Sequence, residues 1–221
     1  MAGWRTVNLY DCRTLAWRDQ GVTAAAEAVR RGDLVVLPTD TVYGIGADAF
    51  KPWAVTALLN AKGRGRHMPP PVLIGSRHTL DGLTLNLPAV ARDLVEAFWP
   101  GALTIVVEQA PSLQWDLGDT GGTVAVRMPA HPVALEVLRE TGPMAVSSAN
   151  KTGEPAALTA KAAQDQFQYA VSVYLEAGES VDQTPSTIVN CVTPVPTVLR
   201  EGALPIEKLR EVVPNIKLPG E

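Results

Sequence analysis

Segments with helix composition and segments with strand composition alternate along almost the whole chain, and glycine or proline separates most of them. TAAAEAVRR (23–31) is rich in strong helix formers and is followed by Gly32, while DLVVLP (33–38) is a short β-branched run. PWAVTALLNAK (52–62) predicts a second helix, with proline at its first position. This alternation predicts an α/β fold, with a twisted open mixed sheet flanked by helices.

The rest of the chain continues the same pattern. Further strands are predicted over 71–75, 102–108, 123–129, 143–150, 170–177, 185–192 and 196–201. Further helices are predicted over 88–99, 131–140, 158–167 and 205–213. The Gly-rich segment 111–122 is longer than a hairpin turn, which indicates a mobile flap that could cover a binding pocket.

Composition limits the class of protein. A length of 221 residues with 46% hydrophobic residues and no linker predicts a single domain, 1–221, with one sizeable core. A net charge of −4 argues against a general nucleic-acid-binding surface, so a polyanion would have to meet a local basic patch. No signal-peptide core and no run of about 18 apolar residues occurs, which predicts a cytoplasmic protein without a membrane segment.

Cysteine and histidine spacing argues against disulfides and metal sites. Cys12 and Cys191 lie far apart, without a CxxC motif or a histidine cluster, so two buried free thiols are expected. His67, His78 and His131 show no metal-ligand spacing, and we therefore expect no metal site made by the protein alone.

A basic segment follows the second predicted helix. Lys62, Arg64 and Arg66 lie within five residues, with a glycine between each pair. Glycine permits close approach of the backbone, and alternating cations can converge on one group of phosphates. The alternative is a solvated basic loop, but the three prolines that follow Met68 make the next segment rigid, which favours a binding role.

Polar side chains follow the strand 33–38. Thr39, Asp40, Thr41 and Tyr43 would emerge at its carboxyl end, where open α/β sheets usually place their ligands. Their hydroxyl groups suit a small polar substrate. An ordinary turn held by local Asp and Thr hydrogen bonds, and bent by the neighbouring glycines, is an equally good interpretation at this stage.

A second polar group and two single cations follow other strands. Ser147, Ser148 and Asn150 come directly after an apolar run, and neither a GxSxG elbow nor a paired histidine is evident. We interpret Ser148 and Asn150 as ligands by hydrogen bonding and not as nucleophiles, with a self-satisfied turn as the alternative. Arg127 and Arg200 end two apolar strands, where each could hold a carboxylate or a phosphate.

Taken in order, these motifs resemble those of the YrdC-like family, threonylcarbamoyl-AMP synthases of tRNA modification. The resemblance spans about 21–209 and includes the Lys-x-Arg and Ser-x-Asn pairs. Its other parts are PTDTVYGIGAD (38–48), FWPGALTIVV (98–107), TVAVRMPAHP (123–132), PSTIV (185–189) and LREG (199–202). The resemblance implies a twisted open sheet with a cationic concave face.

It also implies a nucleotidyltransferase that joins L-threonine, bicarbonate and ATP, with Mg2+ on the ATP. The products would be L-threonylcarbamoyl-AMP and pyrophosphate, and a downstream tRNA threonylcarbamoyltransferase would form threonylcarbamoyladenosine at position 37 of tRNA. Weak tRNA binding is a further implication. The alternatives are an RNA-binding module of the same fold without synthase activity, and a relative that acts on carbamoyl phosphate or carbamoyl-adenylate.

By matching motif positions, the resemblance divides the candidate residues into two groups, and none of them needs to act as a catalytic nucleophile. The ATP group would comprise Lys62, Arg64, Arg66, Ser148, Asn150 and Arg200. The threonine group would comprise Thr41, Tyr43, His67, Arg127 and Ser186. Met68 stands where family members often have lysine, and Pro185 stands where many have glutamate.

Overall fold

The computed structural model describes residues 8–221, whose strands form one ten-stranded mixed sheet. The strands are β1 (Asn8–Asp11), β2 (Leu34–Leu37), β3 (Gly44–Asp48), β4 (Val72–Leu73), β5 (Leu103–Glu108), β6 (Thr123–Arg127), β7 (Met144–Ser148), β8 (Val171–Glu176), β9 (Thr187–Asn190) and β10 (Thr197–Arg200). Their order across the sheet is β1-β8-β2-β3-β7-β4-β6-β5-β9-β10. The predicted fold class, an open mixed sheet flanked by helices, is confirmed. The single domain over 1–221 stays a prediction.

Helices cover both faces of this sheet. They are α1 (Leu15–Arg31), α2 (Pro52–Lys62), α3 (His78–Leu83), α4 (Ala89–Phe98), α5 (Pro132–Thr141), α6 (Ala160–Phe167) and α7 (Ile206–Val212), with a short 3-10 turn (Gln168–Ala170) before β8. Among the residues that the structure describes, no helix combines the length and the apolar character needed to cross a bilayer.

Local sequence signals set several helix ends. Helix α2 begins and ends where the sequence predicts, and Gly63 terminates it in the left-handed region at φ 63°. Gly32 ends α1 in the same way, at φ 87°. At the other end, the His131 ring nitrogen accepts a hydrogen bond from the backbone of α5, and the Thr159 hydroxyl accepts one from the backbone of α6. These caps satisfy backbone groups that a helix leaves unpaired.

Other elements differ from the predictions. Helix α1 begins at Leu15 and not at residue 23, and β1 and α3 were not predicted. Residues 44–48 form strand β3, where the sequence indicated a turn bent by glycine. Gly44 instead makes room for a neighbouring strand, because a Cβ placed there would lie 2.6 Å from Cγ1 of Val146. The absence of a side chain at Gly44 therefore allows β3 and β7 to pack closely.

The two faces of the sheet carry cores of different size. Helices α2, α3, α4, α6 and α7 pack on one face over the larger core. Helices α1 and α5 cover the other face over β1, β8, β2, β3, β7 and β4. On β5, Leu103 and Ile105 point into the larger core, so Thr104 between them faces the opposite side. The second face is therefore left open beyond the edge of α1 and α5.

Both cysteines, Cys12 and Cys191, are free and buried, as predicted from their spacing. Burial raises the pKa of both thiols, that of Cys12 to about 11. They are part of the packing on opposite faces of the sheet, Cys191 in the larger core and Cys12 in the smaller one.

The larger core is expected to carry much of the stability. Leu58 on α2 is 0% exposed, so Leu58→Ala should lower the free energy of unfolding by about 2–5 kcal/mol through lost burial and a residual cavity. Chemical denaturation measures this change. The matched control is Leu85→Ala, because Leu85 is 52% exposed and its truncation should cost less than about 0.5 kcal/mol. Equal losses in both variants would contradict the assignment of Leu58 to the core.

Candidate functional site

A cavity of about 230 Å³ lies on the open face of the sheet. Three of its lining residues are arginines, and many of the others carry hydroxyl groups. The arginines are Arg64, Arg127 and Arg200, and the hydroxyl side chains include those of Thr39, Thr41, Thr104, Ser147, Ser148 and Ser186. Among the described residues, no carboxylate lines the cavity. The lining therefore suits an anionic ligand with several hydrogen-bonding groups.

The position of the cavity differs from the prediction that it lies at the carboxyl edge of the sheet. Strand β4 pairs parallel to β6 and antiparallel to β7, so β6 and β7 run in opposite directions. Their carboxyl ends therefore lie at opposite edges, yet Arg127 at the end of β6 and Ser148 at the end of β7 line the same cavity. The cavity thus crosses the open face, and residues 38–43 run beside it after β2.

Arg127 is held in place by three neighbours. It is 6% exposed, and its Nε donates to the carbonyl of Gly101 at 2.9 Å. Its Nη1 donates to Oγ1 of Thr41 at 2.9 Å, and its Nη2 donates to Oδ1 of Asp40 at 2.8 Å. The same Asp40 oxygen accepts the backbone N–H of Ala130. Burial lowers the pKa of Arg127, and the charge of Asp40 opposes that shift.

Arg200 and Ser186 form a second polar group at the far side of the cavity. Nη2 of Arg200 donates to the carbonyl of Ser186 at 2.6 Å and to its hydroxyl at 3.3 Å. The hydroxyls of Ser186 and Thr104 lie 2.8 Å apart and share a hydrogen bond. Burial, with repulsion from Arg127, lowers the pKa of Arg200. Within residues 8–221 no carboxylate pairs with Arg200, so its charge is available to a ligand.

Arg64 is the third cation of the lining. Its Nη1 donates to the hydroxyl of Ser147 at 3.2 Å, and its buried Nε has no hydrogen-bond partner in the described part of the chain. Burial lowers the pKa of the guanidinium. A buried N–H without a partner is costly, and an anion beside it would remove that cost. Arg64 is therefore a strong candidate to contact an anionic ligand.

Lys62 does not line the cavity, although the sequence placed it beside Arg64. It is 1% exposed, and its Nζ donates to the backbone carbonyls of Ser148 and Asn150, the second at 2.6 Å. Burial and the charge of Arg64 lower the pKa of Lys62 to about 7. The side chain thus lies behind the turn that follows β7 and holds that turn by two carbonyl groups.

Two other predicted ligands, Asn150 and Tyr43, have their hydrogen-bond donors engaged elsewhere. The Asn150 amide nitrogen donates to the carbonyls of Lys151 and Glu154, and its buried Oδ1 has no partner among residues 8–221. The Tyr43 hydroxyl donates to the carbonyl of Gly178 at 2.7 Å and accepts the N–H of Ala177. Tyr43 reaches the cavity lining, but its hydroxyl is fixed at the end of β8.

Arg66 and His67 are exposed and lie outside the cavity lining. Arg66 forms a bidentate pair with Asp116 at 2.9 and 2.7 Å, and Asp119 lies 3.5 Å from its Nε. None of residues 111–122 lines the cavity in this conformation, and the role of the segment as a mobile flap stays a prediction.

The structure thus brings Thr41, Arg64, Arg127, Ser148, Ser186 and Arg200 together, as the sequence analysis expected. It adds Thr104, which was not among the candidates, and it gives a supporting role to Asp40, which was named only as one of the polar residues after the strand 33–38. Asp40 fixes Arg127, and Thr104 fixes Ser186. A polar residue at an alternating position inside the apolar strand ALTIVVE was the available signal for Thr104. No sequence signal linked Asp40 to Arg127, 87 residues later.

Comparison with known proteins gives a family for this fold and cavity. The family model Sua5_yciO_yrdC, described as telomere recombination, matches residues 27–202. That range contains every lining residue of the cavity. The chain belongs to the Sua5/YciO/YrdC family.

Related proteins in this family have assigned names. A Mycobacterium tuberculosis protein, named provisionally as a threonylcarbamoyl-AMP synthase, is 57% identical over 204 residues, which are 92% of this chain and 94% of that protein. The Pyrococcus abyssi threonylcarbamoyl-AMP synthase is 36% identical over 89% of this chain and 58% of its own length. The crystal structure of P. abyssi Sua5 complexed with L-threonine superposes with a TM-score of 0.89 and 33% identity. The match covers 96% of this chain and 62% of that one.

Proposed function

We propose that this protein is a threonylcarbamoyl-AMP synthase, which makes L-threonylcarbamoyl-AMP and pyrophosphate from L-threonine, bicarbonate and ATP. The observation that carries the proposal is one cavity with three arginines, many hydroxyl groups and no lining carboxylate among the described residues. A triphosphate and an amino-acid carboxylate both need such cations. The names of the relatives, and the threonine complex of the P. abyssi protein, support the same reaction.

The arrangement of cations suggests how the two substrates divide the cavity. Arg64 lies with Ser147 and Ser148 at the end of β7, and we assign the ATP phosphates to this side. Arg127, Thr41 and the Ser186–Arg200 pair lie on the other side, which we assign to threonine. Arg200 has no carboxylate partner in the described chain and could also reach the nucleotide, as its sequence motif implies.

The reaction needs little covalent chemistry from the protein. The amine of threonine condenses with bicarbonate to an N-carboxylated threonine with loss of water, and its new carboxylate oxygen attacks the α-phosphorus of ATP as pyrophosphate leaves. The side chains would position both substrates and neutralise the charge that develops on the phosphates. The cavity lining offers hydroxyls and arginines but no carboxylate, so Mg2+ would enter on the triphosphate and not through a protein-held site.

The wider context of the reaction is also part of the proposal. The product would pass to a tRNA threonylcarbamoyltransferase, which forms threonylcarbamoyladenosine at position 37 of tRNA in the cytoplasm. Contact with tRNA would be weak, because the net charge is −4 and the cations of the cavity lie inside a concave site.

The direct test supplies purified protein with L-threonine, Mg-ATP and labelled bicarbonate. We expect labelled threonylcarbamoyl-AMP and one pyrophosphate per product. Arg64→Ala should raise KM for ATP by about 10- to 100-fold, because one or two charge-assisted hydrogen bonds are lost. Arg92→Ala, a change at an exposed arginine on α4, is the control and should leave KM unchanged. No product from the wild-type protein, together with salt-sensitive tRNA binding, would favour the RNA-binding alternative.

A further inference from the structure

We propose that Arg66 is a positioning residue, which acts with Asp116, Gly118 and Asp119 as a clamp that sets the orientation of Arg64. This inference rests on the proposed function in one respect, namely that Arg64 contacts the phosphates of ATP. It assigns Arg66 a role different from the direct ATP contact that its motif position suggested.

The clamp joins the basic segment to the loop 111–122 through both side chains and backbone. The Arg66 guanidinium makes its bidentate pair with Asp116 and lies 3.5 Å from a carboxylate oxygen of Asp119. The backbone N–H of Asp119 donates to the carbonyl of Arg66 at 2.9 Å. Asp116 also accepts the N–H of Gly118 at 3.1 Å, which fixes the loop beside the arginine.

Gly118 shows how closely the two backbones approach. Its φ is 108°, and a Cβ placed there would lie 2.5 Å from the carbonyl oxygen of Arg66. Any larger residue would have to push the basic segment away. Gly121, in the same loop, also has a positive φ, of 61°, but a Cβ there would meet nothing within 4 Å. The two glycines therefore differ in contact with Arg66, while both have left-handed backbone.

The loop is itself anchored firmly enough to hold another segment. Leu117 is 2% exposed and belongs to the larger core. Trp115 stacks on Phe50 with a ring-centroid distance of 5.4 Å, and its Nε1 donates to the side chain of Gln109 at 3.1 Å. A loop held by buried apolar contacts provides a rigid support.

The segment that carries Arg64 needs such support. Glycines flank Arg64 on both sides, and glycine has the greatest backbone freedom of any residue. The backbone N–H of Arg64 caps α2 by donating to the carbonyl of Leu59. The backbone N–H of Met68 donates to the carbonyl of Gly65 and closes a turn. Besides the hydrogen bond from Arg64 to Ser147, the clamp is what ties the middle of this turn to another part of the protein among the described contacts.

Two roles for Arg66 predict opposite effects of Asp116→Asn. If Arg66 positions Arg64 through the clamp, loss of the Asp116 charge should raise KM for ATP about three- to tenfold. If Arg66 itself binds phosphate, the same change should free its charge and lower KM for ATP. In both cases KM for threonine should stay unchanged, because Arg64 and Arg66 are assigned to the ATP side and none of the clamp residues lines the cavity.

The experiment compares Asp116→Asn, Gly118→Ala and the control Gly121→Ala in steady-state kinetics, with ATP and threonine varied separately. We expect a three- to tenfold increase in KM for ATP in the first two variants and at most a twofold change in the control. Charge exchange, Arg66→Asp with Asp116→Arg, should restore part of the loss seen with Arg66→Asp alone. A lower KM for ATP in Asp116→Asn, or equal effects of Gly118→Ala and Gly121→Ala, would overturn the proposal.

Amide hydrogen exchange without any substrate separates this proposal from the proposed function. Residues 63–68 should exchange faster in Asp116→Asn and Gly118→Ala than in wild-type protein and in Gly121→Ala. Unchanged exchange there would overturn the clamp even if the enzyme makes product. Absence of product from wild-type protein would instead overturn the proposed function, while faster exchange would still show that the loop holds the segment.

Discussion

Arg127→Ala is expected to raise KM for threonine at least tenfold and to lower the free energy of unfolding by about 3–5 kcal/mol. The kinetic effect follows from the loss of a cation that lines the cavity and that we propose to hold the threonine carboxylate by charge-assisted hydrogen bonds. The stability effect follows because Asp40 would keep a partly buried carboxylate without its cation. Steady-state kinetics and chemical denaturation measure the two effects separately.

A double variant separates binding from folding. Asp40→Asn combined with Arg127→Ala removes the unpaired carboxylate, so part of the lost stability should return. KM for threonine should stay high, because the cation is still missing. A defect confined to KM for ATP would reassign Arg127 to the nucleotide side. Recovery of threonine binding in the double variant would show that Arg127 acts only in folding.

Lys62→Met is expected to reduce kcat/KM by about 10- to 100-fold, although Lys62 does not line the cavity. Two backbone carbonyls, of Ser148 and Asn150, lose a charged donor, and each such hydrogen bond is worth about 1.5–3 kcal/mol. If only half of that sum is expressed in transition-state stabilisation, kcat/KM falls by about one to two orders of magnitude. Methionine keeps the length of the side chain, so the packing of α2 should be preserved.

Lys62 should also make the stability of the protein depend on pH. The pKa of Lys62 is about 7 in the folded protein and near 10.5 in the unfolded chain, so the unfolded chain binds more protons between these values. The Lys62 contribution to stability is therefore fully present above pH 10.5 and is lost as pH falls to 7. The stability of wild-type protein relative to Lys62→Met should rise with pH across this window.

Lys161→Met is the matched control, because Lys161 is exposed on α6 and pairs only with neighbours along that helix. It should leave kcat/KM unchanged and produce little change in the pH dependence of stability. Equal activity of Lys62→Met and wild-type protein would contradict the assignment of Lys62 to the turn after β7. A stability difference that stays flat from pH 7 to pH 10 would contradict its lowered pKa.

The parts of the fold that the sequence predicted are those governed by local signals. Helix α2 has proline at its start and glycine after its end, and its bounds were predicted without error. Strand β3 was missed because Gly44 and Gly46 have poor strand propensity, and only the packing of Val146 and Met144 from β7 explains them. The start of α1 was missed because residues of its first turn, such as Leu15 and Trp17, are exposed and show no apolar stripe.

In the candidate site too, some features follow from the sequence and others depend on the folded structure. The order of the motifs along the chain groups Arg64, Arg127 and Arg200, and the cavity contains all three. The roles of individual side chains were not accessible, because burial and long-range partners decide them. Lys62 is next to Arg64 in sequence, yet its nitrogen binds carbonyls 86 and 88 residues away. The same holds for Arg66, whose partner Asp116 lies 50 residues away.

A crystal structure of the protein with L-threonine and a non-hydrolysable Mg-ATP analogue tests the shared cavity most directly. We predict that both ligands occupy it, with the triphosphate in hydrogen-bond contact with Arg64 and Ser148. The threonine carboxylate should contact Arg127, Ser186 or Arg200. Either ligand bound away from these residues, or a cavity closed to both, would contradict the account.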